Sequence, residues 1–523
     1  MAVSPMLELT GANALVGTLA DHGVSACFAN PGTSEMHLVT ALDQEPRIRS
    51  VLCLFEGVVT GAADGFARVA GKPAMTLLHL GAGYLNAGAN LHNANRANTP
   101  MINVIGDHAV PHLKYDAPLT SNIRGLVAPI MRWTKSADRL EDIGRLSAEA
   151  YRASFGPAPG PVALILPADT AWTTGAEGAS VVADPPSPRL VATDAIEAAV
   201  AAISKAKSPL ILMNGTALKP EGLSAAARLK AAGVRMMTDT FYPIMRRGAG
   251  VFAPDRMQYF AEMAMADLEG CDLMIAAGTQ LPVAFFSYPG KPSLLVPEGC
   301  ETLILGGPET DSAQTLSALC DALDAPTPVP PTELSLPDAP TGALDAAAVG
   351  ASLARHMPDN ALVSDDGVSN GLLSYLPTQT ARPHDWMMLT GGAIGQGMPL
   401  ALGAAIAAPD RKVICLSGDG AGMYTNQALW SMAREGVDVT TIVFVNHSYR
   451  ILNIELHRTG AGNPGPTAKN MLSIGGPDID WVSLSQSMGV PAVEAATAEA
   501  FDAALSKAMS EPGPHLIAAI VPG

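Results

Sequence analysis

Short apolar runs recur along the chain, and most stop at Gly, Asn, Asp, His or Glu. In the first third they are Ala26–Ala29, Ser50–Leu54, Ala74–Leu78, Met101–Ile105 and Val162–Leu166. Leu210–Met213, Leu273–Ala276 and Leu303–Leu305 follow, and then Ala361–Val363, Val413–Leu416, Thr441–Val445 and Leu516–Val521. Unbroken apolar runs bounded by turn residues predict strands, and Leu210–Met213, Leu273–Ala276 and Leu303–Leu305 read as buried parallel strands. The stretches between several of them carry helical periodicity, as in Leu7–His22, Gly57–Ala70 and Met398–Ala407. Strands alternating with helices predict parallel α/β sheets.

Punctuation divides the pattern. Residues 324–342 (DAPTPVPPTELSLPDAPTG) read as a Pro-rich linker, and Asp169–Ser187 as a loop. The expectation is three doubly wound parallel-sheet α/β domains, over residues 1–175, 190–325 and 343–523.

The most informative stretch is Lys412–Asn453. A strand there ends at Gly418-Asp419-Gly420, a helix follows, and a second strand ends at Asn446. Ligands bind outside the carboxyl ends of strands in an open parallel sheet, so Asp419 and Asn446 are expected close together. A carboxylate and an amide oxygen suit a hard cation such as Mg²⁺ with phosphate oxygens. The glycines admit backbone N–H groups to a phosphate, and the helix directs its positive end at it.

Two further residues stand at strand ends. Glu56 opens the small-residue helix GVVTGAADGFARVA, where it is either a helix N-terminal acid or a catalytic carboxyl group. His79 precedes a glycine-rich turn, Gly81-Ala82-Gly83, and is a candidate proton shuttle. His108 and His112 have Pro111 between them and no HExxH acid, so a zinc site is not expected.

Composition narrows the classes. The 523 residues carry a formal net charge of −17, which argues against nucleic-acid or anionic-membrane partners. The six cysteines show no CxxC spacing and read as buried free thiols of a cytoplasmic protein. No window of the chain approaches a membrane span.

Taken together, these residues resemble thiamine-diphosphate-dependent decarboxylases and carboligases, in the branch of benzoylformate decarboxylase and the acetolactate synthase large subunit. GDG followed by a helix, a strand and Asn matches their diphosphate–Mg²⁺ motif. The resemblance implies a pyrimidine-binding, a central and a diphosphate-binding domain. It also implies an active site shared between subunits, hence a homodimer at minimum and usually a homotetramer. Carried onto this chain, Asp419, Asn446 and the carbonyl of Ser448 are the metal ligands. Gly420, Ala421, Ser369, Asn370 and Tyr449 hold the diphosphate. Ile394 bends the cofactor, the Gly392 carbonyl accepts from its 4′-amino group, and Glu56 activates it. NPGTSE resembles the benzoylformate decarboxylase turn NPGSNE, with Thr33 at its substrate-facing Ser, and LLHLGAG places His79 at its catalytic histidine.

The implied activity is cleavage or formation of a C–C bond beside a carbonyl, as 2-oxo acid decarboxylation or carboligation with a 2-oxo acid or aldehyde. The alternatives are a lyase or synthase for 2-hydroxyacyl groups, including CoA thioesters, and a non-catalytic subunit of the same fold. The chain departs from both branches. Asp116–Thr120 lacks the Gln of the acetolactate synthase DAFQE segment, and Phe285 or Phe286 stands where benzoylformate decarboxylase has a second histidine. FAD is not expected, since only Asn214-Gly215-Thr216 follows the Leu210–Met213 strand.

Overall fold

The apolar runs become strands of three sheets in a computed structural model that describes residues 9–179, 181, 184–288 and 290–523. The N-terminal segment supplies β1 (Ala26–Asn30), β2 (Arg49–Leu52), β3 (Ala74–Leu78), β4 (Met101–Asp107), β5 (Thr134–Ser136) and β6 (Pro161–Pro167). They form a parallel sheet in the order β2-β1-β3-β4-β6-β5. Every residue of β3, β4 and β6 is buried, as strands covered by helices on both faces require.

The middle segment supplies β7 (Pro209–Met213), β8 (Arg235–Thr238), β9 (Met245–Arg247), β10 (Asp255–Arg256), β11 (Leu273–Ala277) and β12 (Glu301–Ile304). All but β9 form a parallel sheet, β10-β8-β7-β11-β12, and β12 is largely exposed rather than buried because it stands at the sheet's edge. The last segment supplies β13 (Leu362–Asp366), β14 (His384–Met388), β15 (Val413–Gly418), β16 (Val439–Val445), β17 (Ala492–Ala495) and β18 (His515–Ile520). Its sheet runs β17-β18-β16-β15-β13-β14-β9, with β9 crossing over to pair antiparallel with β14. The third sheet is therefore mixed at one edge, a feature that local periodicity does not report. The Pro-rich 324–342 stretch holds no helix or strand of its own, and it is tied down by Ser335 N–H donating to Thr380 O at 3.0 Å.

Three local expectations change. The helix expected from Leu7 begins at Gly11, where Thr10 Oγ1 accepts from Asn13 N–H at 3.2 Å; Leu7 itself lies outside the described residues. Gly81-Ala82-Gly83 is no turn but the start of helix Leu80–Arg96, whose buried Tyr84, Ala87, Leu91 and Ala94 join the core and override poor glycine propensity. The chain turns one residue earlier, at Leu80, which has φ 52°. The helix after Asp419 is divided into Asp419–Thr425 and Gln427–Glu435, and Thr425 Oγ1 donates to Gly395 O at 2.8 Å at the division.

The N- and C-terminal sheets meet through helices Glu56–Ala70 and Gly397–Ala407. A Cβ on Gly65 would stand 2.0 Å from Leu400 O, and one on Gly403 would stand 1.8 Å from Ala62 O. Backbone meets backbone there, so no side chain fits. Beside this seam lies a buried ion pair, Arg68 with Asp64, their side chains 1 % and 0 % exposed. Arg68 Nη1 donates to Pro243 O at 3.0 Å and Met388 O at 2.9 Å, which ties all three segments to one guanidinium.

Candidate active site

Strand order explains why distant motifs gather. In the N-terminal sheet β2, β1 and β3 are neighbours, and their carboxyl ends lead into Glu56, Thr33 and His79 respectively. In the C-terminal sheet β16, β15, β13 and β14 are neighbours. Their carboxyl ends lead into Asn446–Tyr449, Asp419–Ala421, Ser369–Asn370 and Gly392–Ile394. All the candidate catalytic, cofactor and metal residues thus lie on two sheet edges, the edges where α/β sheets bind ligands.

Asp419 is the first residue of its helix and only 3 % exposed. Its Oδ2 accepts from the backbone N–H of Asn446 at 3.1 Å and of His447 at 2.8 Å, and Oδ1 accepts from Gly420 N–H at 2.8 Å. Burial pushes its carboxyl pKa up, and those N–H groups oppose the shift. Asn446 Oδ1 accepts from Ser448 N–H at 3.0 Å. One carboxylate and one amide oxygen are donors of the kind a hard cation takes, and Ser448 is held beside them through its N–H. Among the described residues no cluster of three or more His, Cys, Asp or Glu offers a different metal site. Tyr449 packs its ring on Gly420, where a Cβ would stand 2.5 Å from the ring, so only glycine admits the ring there.

The loop carrying Gly392 and Ile394 is held by Asp366. This residue, 1 % exposed, accepts the N–H of Gly395 at 2.8 Å and of Gly397 at 3.2 Å on Oδ2. Burial pushes its carboxyl pKa up to about 7. Gly392 has φ 75°, which glycine adopts without strain.

On the other edge, Glu56 is 7 % exposed and its Oε2 accepts from Asn86 Nδ2 at 3.0 Å. His79 is its neighbour: a Cβ on Gly83 would stand 3.2 Å from Glu56 Oε1 and 3.5 Å from His79 Cβ. Thr33 is exposed at the start of the turn Thr33–Glu35. Among the described residues no hydrogen bond joins Thr33, Glu56 or His79 to Asp419, Asn446 or Tyr449 of the same chain. Asn90 Nδ2 links the helix of Glu56 to the loop of Gly392 and Ile394, 2.8 Å from Gly57 O and 3.5 Å from Gly395 O.

Comparison with known proteins bears on these two edges. The N-terminal TPP binding domain of thiamine pyrophosphate enzymes matches residues 9–126, and their C-terminal TPP binding domain matches residues 365–519. A Mycobacterium tuberculosis protein, provisionally described as an acetolactate synthase large subunit, is 47 % identical over 98 % of this chain and 99 % of its own. The chain belongs to the thiamine pyrophosphate enzymes.

Benzoylformate decarboxylase of Pseudomonas aeruginosa is 27 % identical, over 95 % of this chain and 96 % of its own. The solved structure of a 4-hydroxybenzoylformate decarboxylase from Rhodococcus jostii shares the fold with a TM-score of 0.87, at 23 % identity, covering 98 % of this chain and 99 % of its own. The protein is a thiamine-diphosphate-dependent enzyme of the acetolactate synthase and benzoylformate decarboxylase type. Among its described residues no helix is long and apolar enough to cross a membrane.

Two residues of this thiamine pyrophosphate enzyme escape a reading by motif. Asp366 lies inside β13 rather than in a turn, and nothing local ties it to a loop after β14. Glu35 is buried to 1 % and its Oε2 lies 2.8 Å from His79 Nδ1, although 44 positions separate the two in sequence. The charged NPGTSE turn following a fully apolar strand was the available signal. A separate crevice of about 880 Å³ opens between the N-terminal and central segments, lined in part by Trp133, Arg152, Arg189, Asn214 and Lys219.

Proposed function

We propose that the enzyme uses thiamine diphosphate and Mg²⁺ to break or form a C–C bond beside a carbonyl, as decarboxylation of a 2-oxo acid, carboligation, or both. The observation that carries this reading is the gathering of Asp419, Asn446, Ser448 and Tyr449 with Ser369, Asn370, Gly392 and Ile394 on four adjacent strand ends. When bound, thiamine diphosphate supplies a cationic ring that accepts the electron pair released as CO₂ leaves or the C–C bond breaks.

Asp419, Asn446 and the Ser448 carbonyl hold the metal in this reading, and Gly420, Ala421, Ser369, Asn370 and Tyr449 hold the diphosphate. Ile394 shapes the cofactor, and the Gly392 carbonyl accepts a hydrogen bond from it. Glu56 exchanges a proton with the aminopyrimidine through its carboxyl group. His79 moves a proton at the substrate, and Thr33 donates its hydroxyl to the substrate. Exposed apolar residues flank both edges: Leu54 and Leu85 near Glu56, Met423 and Tyr424 beyond Asp419. Covering them with a second copy would join one chain's Glu56 to its partner's Asp419, so a homodimer is the smallest active unit, with a homotetramer as the usual assembly. Six unpaired thiols are in keeping with a cytoplasmic enzyme.

A second reading, a lyase acting on 2-hydroxyacyl thioesters, draws support from the crevice beside Arg152, Arg189 and Lys219. Glu149 and Glu309 line it too, which weakens its attraction for phosphates. FAD is no part of the proposal.

The test is CO₂ release after stripping with chelator and adding back thiamine diphosphate and Mg²⁺, with pyruvate, benzoylformate and branched 2-oxo acids as donors. Release that needs both additions, and is lost in Glu56→Gln, is the expected outcome. Failure of the cofactor to bind overturns the roles of Asp419 and Asn446. Binding without CO₂ release, together with cleavage of a 2-hydroxyacyl-CoA, favours the second reading.

A further inference from the structure

We propose that Glu35 is a positioning residue for His79: its buried carboxyl group accepts a hydrogen bond from Nδ1–H of the imidazole and leaves Nε2 as the nitrogen that exchanges protons with the substrate. The proposal rests on the assignment of His79 as a proton carrier in the reading above.

Three observations carry it. The first is distance and burial together. Glu35 Oε2 lies 2.8 Å from His79 Nδ1, with side-chain exposures of 0 % for the glutamate and 20 % for the histidine. The orienting group is sealed, while its partner keeps an open side. The second is the rest of the carboxyl group's surroundings. Gly32 N–H donates to Oε2 at 2.8 Å and Ser34 Oγ donates to Oε1 at 2.8 Å. Both oxygens therefore receive protons from groups that hold them in place, and Nδ1–H completes an acceptor site. Ser34 Oγ also lies 3.3 Å from Nδ1, but its hydroxyl proton is directed to Glu35. The third is packing. A Cβ on Gly32 would stand 2.2 Å from His79 Nδ1, and one on Gly106 would stand 1.9 Å from Glu35 Oε1. Backbone pressed against both partners leaves the imidazole little freedom to flip.

A fixed tautomer matters for a proton carrier. The nitrogen that faces the reaction is set by the bond that the other nitrogen makes. A carboxylate opposite Nδ1 also stabilises the cation formed when Nε2 accepts a proton. Among the described residues, Glu35 from the turn after β1 is the ionisable side chain within hydrogen-bonding distance of His79, and Glu56 stands across Gly83.

The experiment labels histidine with ¹⁵N in the full-length protein and assigns His79 by its loss in His79→Gln. The wild type is expected to carry the neutral-form proton on Nδ1, and Glu35→Gln to shift that population towards Nε2. With thiamine diphosphate, Mg²⁺ and the best 2-oxo acid donor, Glu35→Gln is expected to lower kcat about 10-fold or more, by analogy with the loss of a carboxylate that orients a metal-ligating histidine. KM is expected to stay within about twofold, as when an interaction made only in the transition state is lost. The Glu35→Gln/His79→Gln double variant is expected to be no slower than His79→Gln alone, because the two residues act as a unit. A wild-type His79 protonated on Nε2 overturns the proposal even if Glu35→Gln does not fold. So do losses that multiply in the double variant, which would mark a purely structural Glu35. If thiamine diphosphate supports no turnover, the functional reading falls, and the wild-type tautomer still decides the placement of the proton.

Discussion

Gln396 Nε2 donates to Asp64 Oδ2 at 2.8 Å, a bond between a loop of the C-terminal sheet and a helix of the N-terminal one. Asp64 also accepts from Thr99 Oγ1 at 2.7 Å and pairs with Arg68, whose guanidinium reaches the carbonyls of Pro243 and Met388. Gln396 adjoins the loop of Gly392 and Ile394, so this network supports the candidate site without touching a ligand. Removing one partner of a buried pair leaves an uncompensated charge, which costs about 3–5 kcal/mol. Arg68→Met is therefore expected to lower the onset of thermal unfolding and to weaken cofactor binding together. An unchanged melting profile would show that the pair is dispensable.

Packing sets opposite signs for two glycine substitutions, one in the seam beside that network and one away from it. Gly65→Ala would gain up to about 1 kcal/mol of helix propensity. Its Cβ would meet Leu400 O at 2.0 Å, and prying two backbones apart costs about 1–3 kcal/mol or more, so net destabilisation is expected. Gly17 sits within helix Gly11–Asp21 with nothing within 4 Å of its would-be Cβ. Gly17→Ala is expected to stabilise by up to about 1 kcal/mol. Differential scanning fluorimetry on both variants checks the contrast.

Asp366 predicts a pH dependence. Its folded pKa of about 7 stands above the ordinary carboxyl value of 3.8, so the folded state holds a proton that the unfolded chain has released. The contribution is fully present below the unfolded value and is lost as pH rises through about 7. Stability is expected to fall with pH by up to about 1.4 kcal/mol per pH unit from this group. Asp366→Asn, which cannot ionise, is expected to flatten that slope between pH values of about 5 and 7 in urea titrations. A slope identical to that of the wild type would show that another group dominates.

Glu56 and Asp419 separate chemistry from binding. Glu56→Gln keeps an acceptor for Asn86 Nδ2 and loses the exchangeable proton, so it is expected to bind cofactor and turn over about 10²- to 10⁴-fold more slowly. Asp419→Ala removes the acceptor for three backbone N–H groups and the proposed metal ligand. It is expected to lose the thermal shift induced by thiamine diphosphate and Mg²⁺, a stabilisation worth about 2.7 kcal/mol at a hundredfold excess over Kd. Calorimetric titration of each variant reads the two effects apart.

The sequence by itself determined where the unbroken apolar strands end and which chemical groups stand there, but not β5, β8, β9, β10, β14 or β17. Apolar runs such as Ala74–Leu78 and Val413–Leu416 mark buried strands through their unbroken hydrophobicity, and the polar residue after each run is legible as a strand-end residue. That is why Glu56, His79, Asp419 and Asn446 are legible as candidate site residues in the sequence. Tertiary structure decided which strand ends are neighbours. The pairing of β15 with both β16 and β13 brings Asp419 beside Asn446 and β13's Asp366 under the loop that follows β14. It decided equally that Glu35 reaches His79, and that β9 leaves its own segment for the edge of another sheet. The physical reason is range. Hydrophobic period is set by a residue's immediate neighbours, whereas sheet order and the closeness of packed helices are set by burial of whole faces, which no local stretch of chain encodes.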